Sequence, residues 1–322
     1  VTLALFHSTE EWAALFAASG RGSVLTIGNF DGMHLGHQAI LRSVVERAKL
    51  LGAVSTALTF DPSPLKVLRP ESAPPRISTN EQRVEWFRAL GLDAAVILRF
   101  DRALAQIAAD DFVRDMLVAR LQLRAILVGE NFCFGCDHAG DVTLLRRLGT
   151  QQGFGVEIVS PVRTGGQIVS STAVRRAVAQ GDVGRAARLL GRPFVLTGEI
   201  HAGTGTGSKL VFPTLNLSPE QELLPARAVY VTESVVAGET RPSVTNVGRR
   251  PTFSGSSLSF ESHLLGFSEK LTRGRMEVRF LKRLRGEKKF PGPAELRAQI
   301  ARDIASAERF FNRLRRTKPT RA

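Results

Sequence analysis

The chain has 322 residues, about twice the size of a usual single domain, so two domains are expected, each large enough to bury its own core. At 43% hydrophobic and 23% charged, with 29 Gly and 15 Pro, it is excluded from the disordered, fibrous and coiled-coil classes, and its two cysteines cannot form a disulfide framework. Lys and Arg number 44 against 30 Asp and Glu, and the resulting +14 points to an anionic partner: nucleic acid, a membrane surface or phosphorylated small molecules.

The first residues hold no basic stretch followed by a long apolar run, and no window approaches 18 uninterrupted apolar residues. Neither a signal peptide nor a membrane span is expected, and a soluble, cytoplasmic protein follows. From residue 24 to 160, short apolar runs alternate with helical periodicity. The strands are expected at 24–28 (VLTIG), 54–60 (VSTALTF), 94–100 (AAVILRF), 125–129 (AILVG) and 156–160 (VEIVS). Between them, apolar residues three and four apart, such as Leu41, Val44, Val45, Ala48 and Leu51, mark helices. Ser78 followed by Glu81 predicts a capping box and a helix running to about Leu90. This alternation implies a doubly wound α/β domain that binds ligands beyond the carboxyl ends of its strands.

Two short helices are expected at about 173–180 and 183–190. The pattern then changes at Gly191-Arg192-Pro193. Six β-like runs separated by Gly, Pro and Ser turns follow, the signature of a small antiparallel barrel or sandwich, and a helix over about 293–314 closes the chain. The domain boundary is placed at 188, giving domains 1–188 and 189–322.

The strongest local signal is GNFDGMHLGH, residues 28–37, directly after the first long strand. Gly28, Gly32 and Gly36 allow close approach of a ligand to the backbone, and the following helix N-terminus offers free N–H groups to an anion. His34 and His37, one turn apart, can both donate to phosphate oxygens. Read from residues alone, the loop is a phosphate site, half of a metal site or a structural turn. A second segment, VSSTAVRR, places Ser170, Ser171 and Thr172 at a helix start with Arg175 one turn in, which fits a phosphate or a plain N-cap beside a solvated Arg. Cys133 and Cys136 form a C-x-x-C with no second pair to complete a zinc site, and coincidence in a loop is the preferred reading.

In the second half, the Gly-rich loop with Gly203, Gly205, Gly207 and Lys209 leads to Pro213-Thr214-Leu215-Asn216. The loop can wrap phosphates, and Thr214 and Asn216 on one strand face would suit Mg²⁺ shared with ATP. A flexible hairpin and a polar strand face explain the same residues. Glu261 is an acid in an otherwise apolar strand pattern, either a solvent-facing position or a general base.

Taken together, GNFDGMHLGH and VSSTAVRR resemble the nucleotidyltransferase fingerprint, and TFDPSP (59–64), VGENFCFG (128–135) and LLGRPF (189–194) narrow it further. Over nearly its whole length the chain resembles the prokaryotic bifunctional riboflavin kinases/FAD synthetases. The resemblance implies a Rossmann-like nucleotidyltransferase domain followed by a small antiparallel β-barrel with a C-terminal helix. The first domain would move AMP from ATP to FMN, giving FAD and pyrophosphate. His34 and His37 would hold the phosphates, with Gly28, Asn29, Phe30, Asp31, Gly32 and Gly36 around ATP. Ser170, Ser171, Thr172 and Arg175 would close on the triphosphate, and Phe60, Pro62 and Asn131 would border the flavin.

The barrel, by the same resemblance, would phosphorylate riboflavin with ATP. NVGRRPTF (246–253), ESHLL (261–265) and FLKRLRGEKKF (280–290) match the kinase motifs in order. Glu261 would take the proton of the ribityl 5′-hydroxyl, Thr214 and Asn216 would bind Mg²⁺, the Gly-rich loop with Lys209 would hold ATP, and Arg285 would cover the flavin. The chain departs from the family pattern at Cys133, where Arg is frequent, at Ser208 for Arg, at Val211 and Ala228 for Gly, and at Gly266 for Asp. By the resemblance, the change at Cys133 would remove a flavin or nucleotide contact in the first domain, and the other four bear mostly on nucleotide affinity in the kinase.

Two other readings compete: a basic nucleic-acid-binding protein, and a FAD synthetase with an inactive kinase barrel. Against the first, the barrel shows no aromatic stacking motif, and the charge is local. Residues 269–322 hold 17 Lys and Arg against 6 Asp and Glu, which accounts for +11 of the +14. The expected partners are therefore small-molecule substrates, with no specific nucleic acid and no membrane; homo-oligomerisation is left open.

Overall fold

Strands that are apolar along their whole length need cover on both faces. The computed structural model, which describes residues 2–201, 213–252, 255–267 and 271–317, supplies that cover in the first of two units, Val1–Ser171 and Thr172–Ala322. Six parallel strands, β1 (Ala4–Phe6), β2 (Ser23–Ile27), β3 (Val54–Phe60), β4 (Ala94–Leu98), β5 (Leu123–Gly129) and β6 (Gly155–Val159), lie in the order β1-β4-β3-β2-β5-β6. The chain order reverses at β2, so the switch point lies between β2 and β5, and the loop after β2 opens into it.

The helices of this unit are α1 (Thr9–Phe16), α2 (Leu35–Leu51), α3 (Pro64–Leu68), α4 (Asn80–Ala89), α5 (Arg102–Ala105), α6 (Ala109–Asp111) and α7 (Val142–Gln152), with a π-helix over Phe112–Arg120. Leu41 of α2 and Phe87 of α4 pack with Ala57 and Ala95 on one face of the sheet. Trp12 of α1, Met116 and Leu117 of the π-helix, and Leu145 and Leu148 of α7 pack with Leu25, Leu58 and Ile126 on the other. Successive strand residues thus serve opposite cores, as the two-residue strand period requires.

Four details differ from the sequence expectation. β1 and α1 precede the first expected strand; β1 is only three residues long and carries no legible pattern. The strand expected over 94–100 ends at Leu98. The capping box sits one residue later: Thr79 Oγ1 accepts the Gln82 N–H at 3.2 Å while Gln82 Oε1 accepts the Thr79 N–H at 3.1 Å. Ser78 is diverted, because its hydroxyl is engaged by the loop after β2. A short hairpin of β7 (Arg163–Thr164) and β8 (Gln167–Ile168) also went unforeseen; its two-residue strands are too short to register as a pattern.

The second unit begins with α8 (Ser171–Ala179), whose first residue belongs to the first unit, and α9 (Val183–Leu190). Then β9 (Phe194–His201), β10 (Leu215–Pro219), β11 (Ala228–Val236), β12 (Glu239–Thr252), β13 (Gly255–Leu264) and β14 (Arg275–Gly286) close into an antiparallel barrel in the order β10-β13-β12-β11-β14-β9. All six β-like runs of the sequence become barrel strands, and closure resolves the choice between barrel and sandwich. The interior holds a chain of buried hydroxyls: Thr232 bonds to Ser243 and Thr245 at 2.8 and 2.7 Å, and Ser234 and Ser262 extend it at either end. Each hydroxyl is satisfied by a neighbour, so their burial carries no open desolvation cost. The closing helix α10 (Pro293–Thr317) lays Ile304, Ala307 and Phe311 against Val229, Val231 and Val244 on the outside of β11 and β12.

Candidate active sites

The loop after β2 is held from below by its own polar and aromatic side chains. Asp31 turns its carboxylate to the Ile77 N–H at 3.0 Å and to the N–H and hydroxyl of Ser78, both at 3.1 Å, while the Ser78 hydroxyl accepts the Gly32 N–H at 3.0 Å. Phe30 is buried beneath, edge-on to Phe87 at 5.5 Å between ring centres. Gly32 adopts φ +79°, and a Cβ there would come within 2.9 Å of Ile77, so the turn excludes other residues on both counts.

With the loop fixed, His34 caps α2. Its Nδ1 accepts the His37 N–H at 3.2 Å, and the two imidazoles stack with ring centres 3.6 Å apart. A nitrogen that accepts a hydrogen bond carries no proton, so in neutral His34 the N–H lies on Nε2. A Cβ on Gly36 would sit 3.1 Å from that ring, so Gly36 leaves the ring room to lie over the helix start. Gly28 donates its N–H to Leu58 O at 3.1 Å, and exposed Asn29 follows it.

Neighbouring strands bring the other expected residues to the same end of the sheet. Phe60 ends β3, with Phe100 edge-on at 5.5 Å, and Pro62 follows it; Asn131 is exposed just beyond β5. Ser170 precedes α8, and the Ser171 hydroxyl donates to Asp31 O at 3.0 Å, tying the second motif to the first. Thr172 and Arg175 continue along α8, on the second unit's side of the division. Cys133 is exposed and Cys136 partly so, and both are free thiols.

Two residues that support this end of the sheet left no mark in the sequence. Arg83, on α4, is 6% exposed, and its guanidinium donates to Asn29 O at 3.0 Å and Thr59 Oγ1 at 2.9 Å. Arg76 pairs with Asp61 at 3.0 Å. In a sequence, each is one more Arg on a polar helix face or loop.

In the barrel, register assembles the second site. Asn216 on β10 and Asn246 on β12 both face Glu261 on β13; Asn246 in turn faces Val229 on β11, and Val229 faces Arg285 on β14. Residues paired across strands share a face, and four of the five, Glu261, Asn246, Val229 and Arg285, line one cavity of about 800 Å³, with buried Asn216 paired beside Glu261. Thr214 lines it too, although it precedes β10 rather than lying on the strand face as expected; His263 Nδ1 lies 2.9 Å from Pro213 O beside it. The apolar wall comes from Val244, Ile300 and Ile304, the last two on α10.

Arg285 is clamped by Asp303 of α10, with Nη2 to Oδ2 at 2.8 Å and Nε to both oxygens at 3.2 and 3.0 Å, and Gln299 completes Asp303 at 2.9 Å. The guanidinium lies 5.7 Å from the Phe290 ring centre. Asp303 was missed because an acid in a mostly polar helix shows nothing until its partner is known. The Gly-rich loop with Gly203, Gly205, Gly207 and Lys209, and the departures Ser208 and Val211, lie outside the described residues. Ala228 is buried at the start of β11, and Gly266 takes φ +69° after β13. Among the described residues, no group of three or more His, Cys, Asp or Glu gathers to hold a metal ion.

Residues 17–173 match the family model of FAD synthetase, and residues 190–311 match that of riboflavin kinase. The bifunctional riboflavin kinase/FMN adenylyltransferase of Escherichia coli (strain K12) is 36% identical over 298 residues, spanning 92% of this chain and 95% of its own. That of Pseudomonas fluorescens is 40% identical over 288 residues, spanning 89% and 92%. A crystal structure described as a macrolide-efflux protein from Streptococcus pneumoniae is similar at a TM-score of 0.84 and 25% identity, covering 96% of this chain and 99% of that one. Among the described residues of this chain, no helix is long and apolar enough to cross a membrane. With both halves matched in order and relatives aligned over nine-tenths of its length, the chain belongs to the family of bifunctional riboflavin kinase/FMN adenylyltransferases.

Proposed function

We propose that the chain makes FAD in two steps, phosphorylating riboflavin with ATP to FMN and then moving AMP from a second ATP to FMN with release of pyrophosphate. The observation that carries this reading is Glu261, paired across strands with Asn216 and Asn246 and lining one cavity with Asn246 and Thr214, in a chain that also holds the GNFDGMHLGH loop at a sheet switch point.

In the barrel, Glu261 takes the proton of the ribityl 5′-hydroxyl as that oxygen attacks the γ-phosphorus and ADP leaves. Thr214, in the lining of the Glu261 cavity, and Asn216, paired with Glu261 across strands, are neutral oxygen donors that would hold Mg²⁺ together with ATP phosphates. Bound there, the ion would neutralise phosphate charge. Gly203, Gly205, Gly207 and Lys209 complete the nucleotide side of this reading. Arg285, fixed by Asp303, closes the flavin end against α10.

In the α/β unit, an oxygen of the FMN phosphate attacks the α-phosphorus of ATP. His34, through Nε2–H, and His37 stabilise the charge gathered there, aided by the partial positive charge at the N-terminus of α2. Gly28, Asn29, Gly32 and Gly36 line the ATP. Asp31 and Phe30 serve it through backbone, since their side chains are turned inward. Ser170, Ser171, Thr172 and Arg175 attend the triphosphate, and Phe60, Pro62 and Asn131 border the flavin. The functional division is 1–188 for the adenylyltransferase and 189–322 for the kinase, so α8 and α9 count with the transferase although α8 beyond Ser171 and all of α9 fall in the second unit. A cytoplasmic site of action, without a specific nucleic-acid or membrane partner, belongs to the same reading.

Incubating the protein with riboflavin, ATP and Mg²⁺ and resolving the flavins by chromatography tests both steps. FMN followed by FAD is expected. FMN supplied directly that becomes FAD while riboflavin stays untouched would remove the kinase assignment, and no flavin turnover at all would remove the whole reading.

A further inference from the structure

The guanidinium of Arg83 lies beneath the carboxyl ends of β2 and β3, two strands that never meet in sequence. Nη1 donates to Asn29 O at 3.0 Å, Thr59 Oγ1 at 2.9 Å and Phe60 O at 3.4 Å; Nη2 donates to Phe60 O at 3.4 Å and to Asn80 Oδ1. All four acceptors are neutral. Burial pulls the group below the usual arginine range and the nearby Arg76 adds to this, while Asp61 and Asp31 oppose it; an arginine still keeps its proton at neutral pH. The brace runs further, because Asn80 Nδ2 donates to Asp61 at 2.7 Å and Arg76 holds the other oxygen of that carboxylate at 3.0 Å. One planar cation therefore joins the nucleotide loop, through Asn29, to the Phe60-Asp61-Pro62 turn.

We propose that Arg83 is a positioning residue for FMN adenylylation, setting the spacing between the ATP loop and the flavin-bordering turn and placing a buried positive charge behind the phosphates. The inference rests on the function proposed above. A purely packing role would need neither the fork nor the charge, since an apolar side chain fills space at less desolvation cost. The fork matters because it reaches two strand ends at once, which a single ammonium cannot do with the same geometry.

The test uses the full chain as wild type, Arg83→Met and Arg83→Lys, measuring thermal midpoint, riboflavin phosphorylation, and kcat and KM for FMN adenylylation with ATP and FMN varied separately. For Arg83→Met, FAD formation should fall by about 10²-fold, the loss expected from an ångström-scale misplacement of reactants, while riboflavin phosphorylation by the same molecules is unchanged. Arg83→Lys, which keeps the charge and fills the same space, should hold the thermal midpoint near wild type and recover the KM for ATP but not kcat. If either variant lowers only the thermal midpoint and leaves the adenylylation constants of the folded protein at wild-type values, Arg83 is structural and the inference falls. If the wild type forms no FAD, the functional reading falls and this inference with it. FAD formation by wild type and variants alike overturns the inference alone.

Discussion

The two candidate sites are built by opposite means. In the α/β unit, ten consecutive residues after β2 carry the loop and both histidines, and distant residues brace them from beneath: Ser78 on Asp31 and Gly32, Arg83 on Asn29, Ser171 on Asp31. Among the described residues of the barrel, no single segment makes up a site. Five strands each give one residue to a single row, from Asn216 through Glu261, Asn246 and Val229 to Arg285, so register does what contiguity does in the first unit. A loop site tolerates change elsewhere provided its braces hold, whereas a one-residue slip in any barrel strand would turn its member of the row to the other face.

The largest effect that could break this comparison lies at Glu261. Glu261→Gln keeps the strand and its register but removes the base, so riboflavin phosphorylation should drop by about 10²–10⁴-fold. FMN adenylylation should be untouched, and a parallel loss of both activities, read in one chromatographic assay, would refute the separation of sites.

His34 should show the mirror image. His34→Ala is expected to cost FAD formation about 10²–10³-fold, the usual loss for a preorganised donor to developing charge, and FMN should accumulate from riboflavin. Because the change also uncaps α2, His34→Asn sharpens it: Asn still caps a helix but offers no Nε2–H, so it should be equally inactive with a thermal midpoint nearer the wild type. Activity retained by the Asn variant would reduce His34 to a cap.

A smaller effect is expected at Asp303. Asp303→Ala frees Arg285, and losing a charge-assisted hydrogen bond worth about 1.5–3 kcal/mol should raise the riboflavin KM roughly tenfold or more while leaving FMN adenylylation unchanged. An unchanged KM would mean that the clamp does not set the flavin end of the cavity.

The smallest effect is spectroscopic. Tyr230 is the single tyrosine of the chain, buried in the barrel with its hydroxyl bonded to Ala226 O; burial pushes its phenol up to about 12, with Arg283 pulling the other way. The unfolded chain ionises first, near pH 10, so stability from this group is complete below about pH 10 and is lost as pH rises towards 12. Phenolate absorbance of the folded protein should stay flat at pH 10, where the chain in guanidinium chloride is about half titrated. A folded-state midpoint near 10 would show that this end of the barrel is open to water.

Local signals were legible wherever a residue's role depends on its neighbours in the chain. The alternation of apolar runs with helical periodicity marked five of the six sheet strands, and β-like runs separated by turns marked all six barrel strands. Glycines at spacings of four, with histidines one turn apart, marked the loop after β2. What escaped depends on partners far along the chain. Ser78 looked like a helix cap because Ser followed three later by Glu is a cap pattern, yet its hydroxyl is occupied 47 residues away by Asp31. Arg83 and Asp303 carry no mark in the sequence, because burial is a property of what packs above a residue. Glu261 stands out as an acid in an apolar pattern, but its place between two asparagines is a matter of register, which that pattern does not carry.

By itself, then, the sequence determined the two-domain order, the character of each sheet and the composition of the loop after β2, because periodicity, turn chemistry and glycine permissiveness act over a few residues. It also located the excess charge in the last third of the barrel unit and the closing helix. Only the tertiary structure decided that the barrel closes, that Glu261 shares a face with Asn216 and Asn246, and that Arg83 and Asp303 are braces. Those outcomes rest on strand register and burial, which emerge only when segments far apart in the chain pair and exclude water.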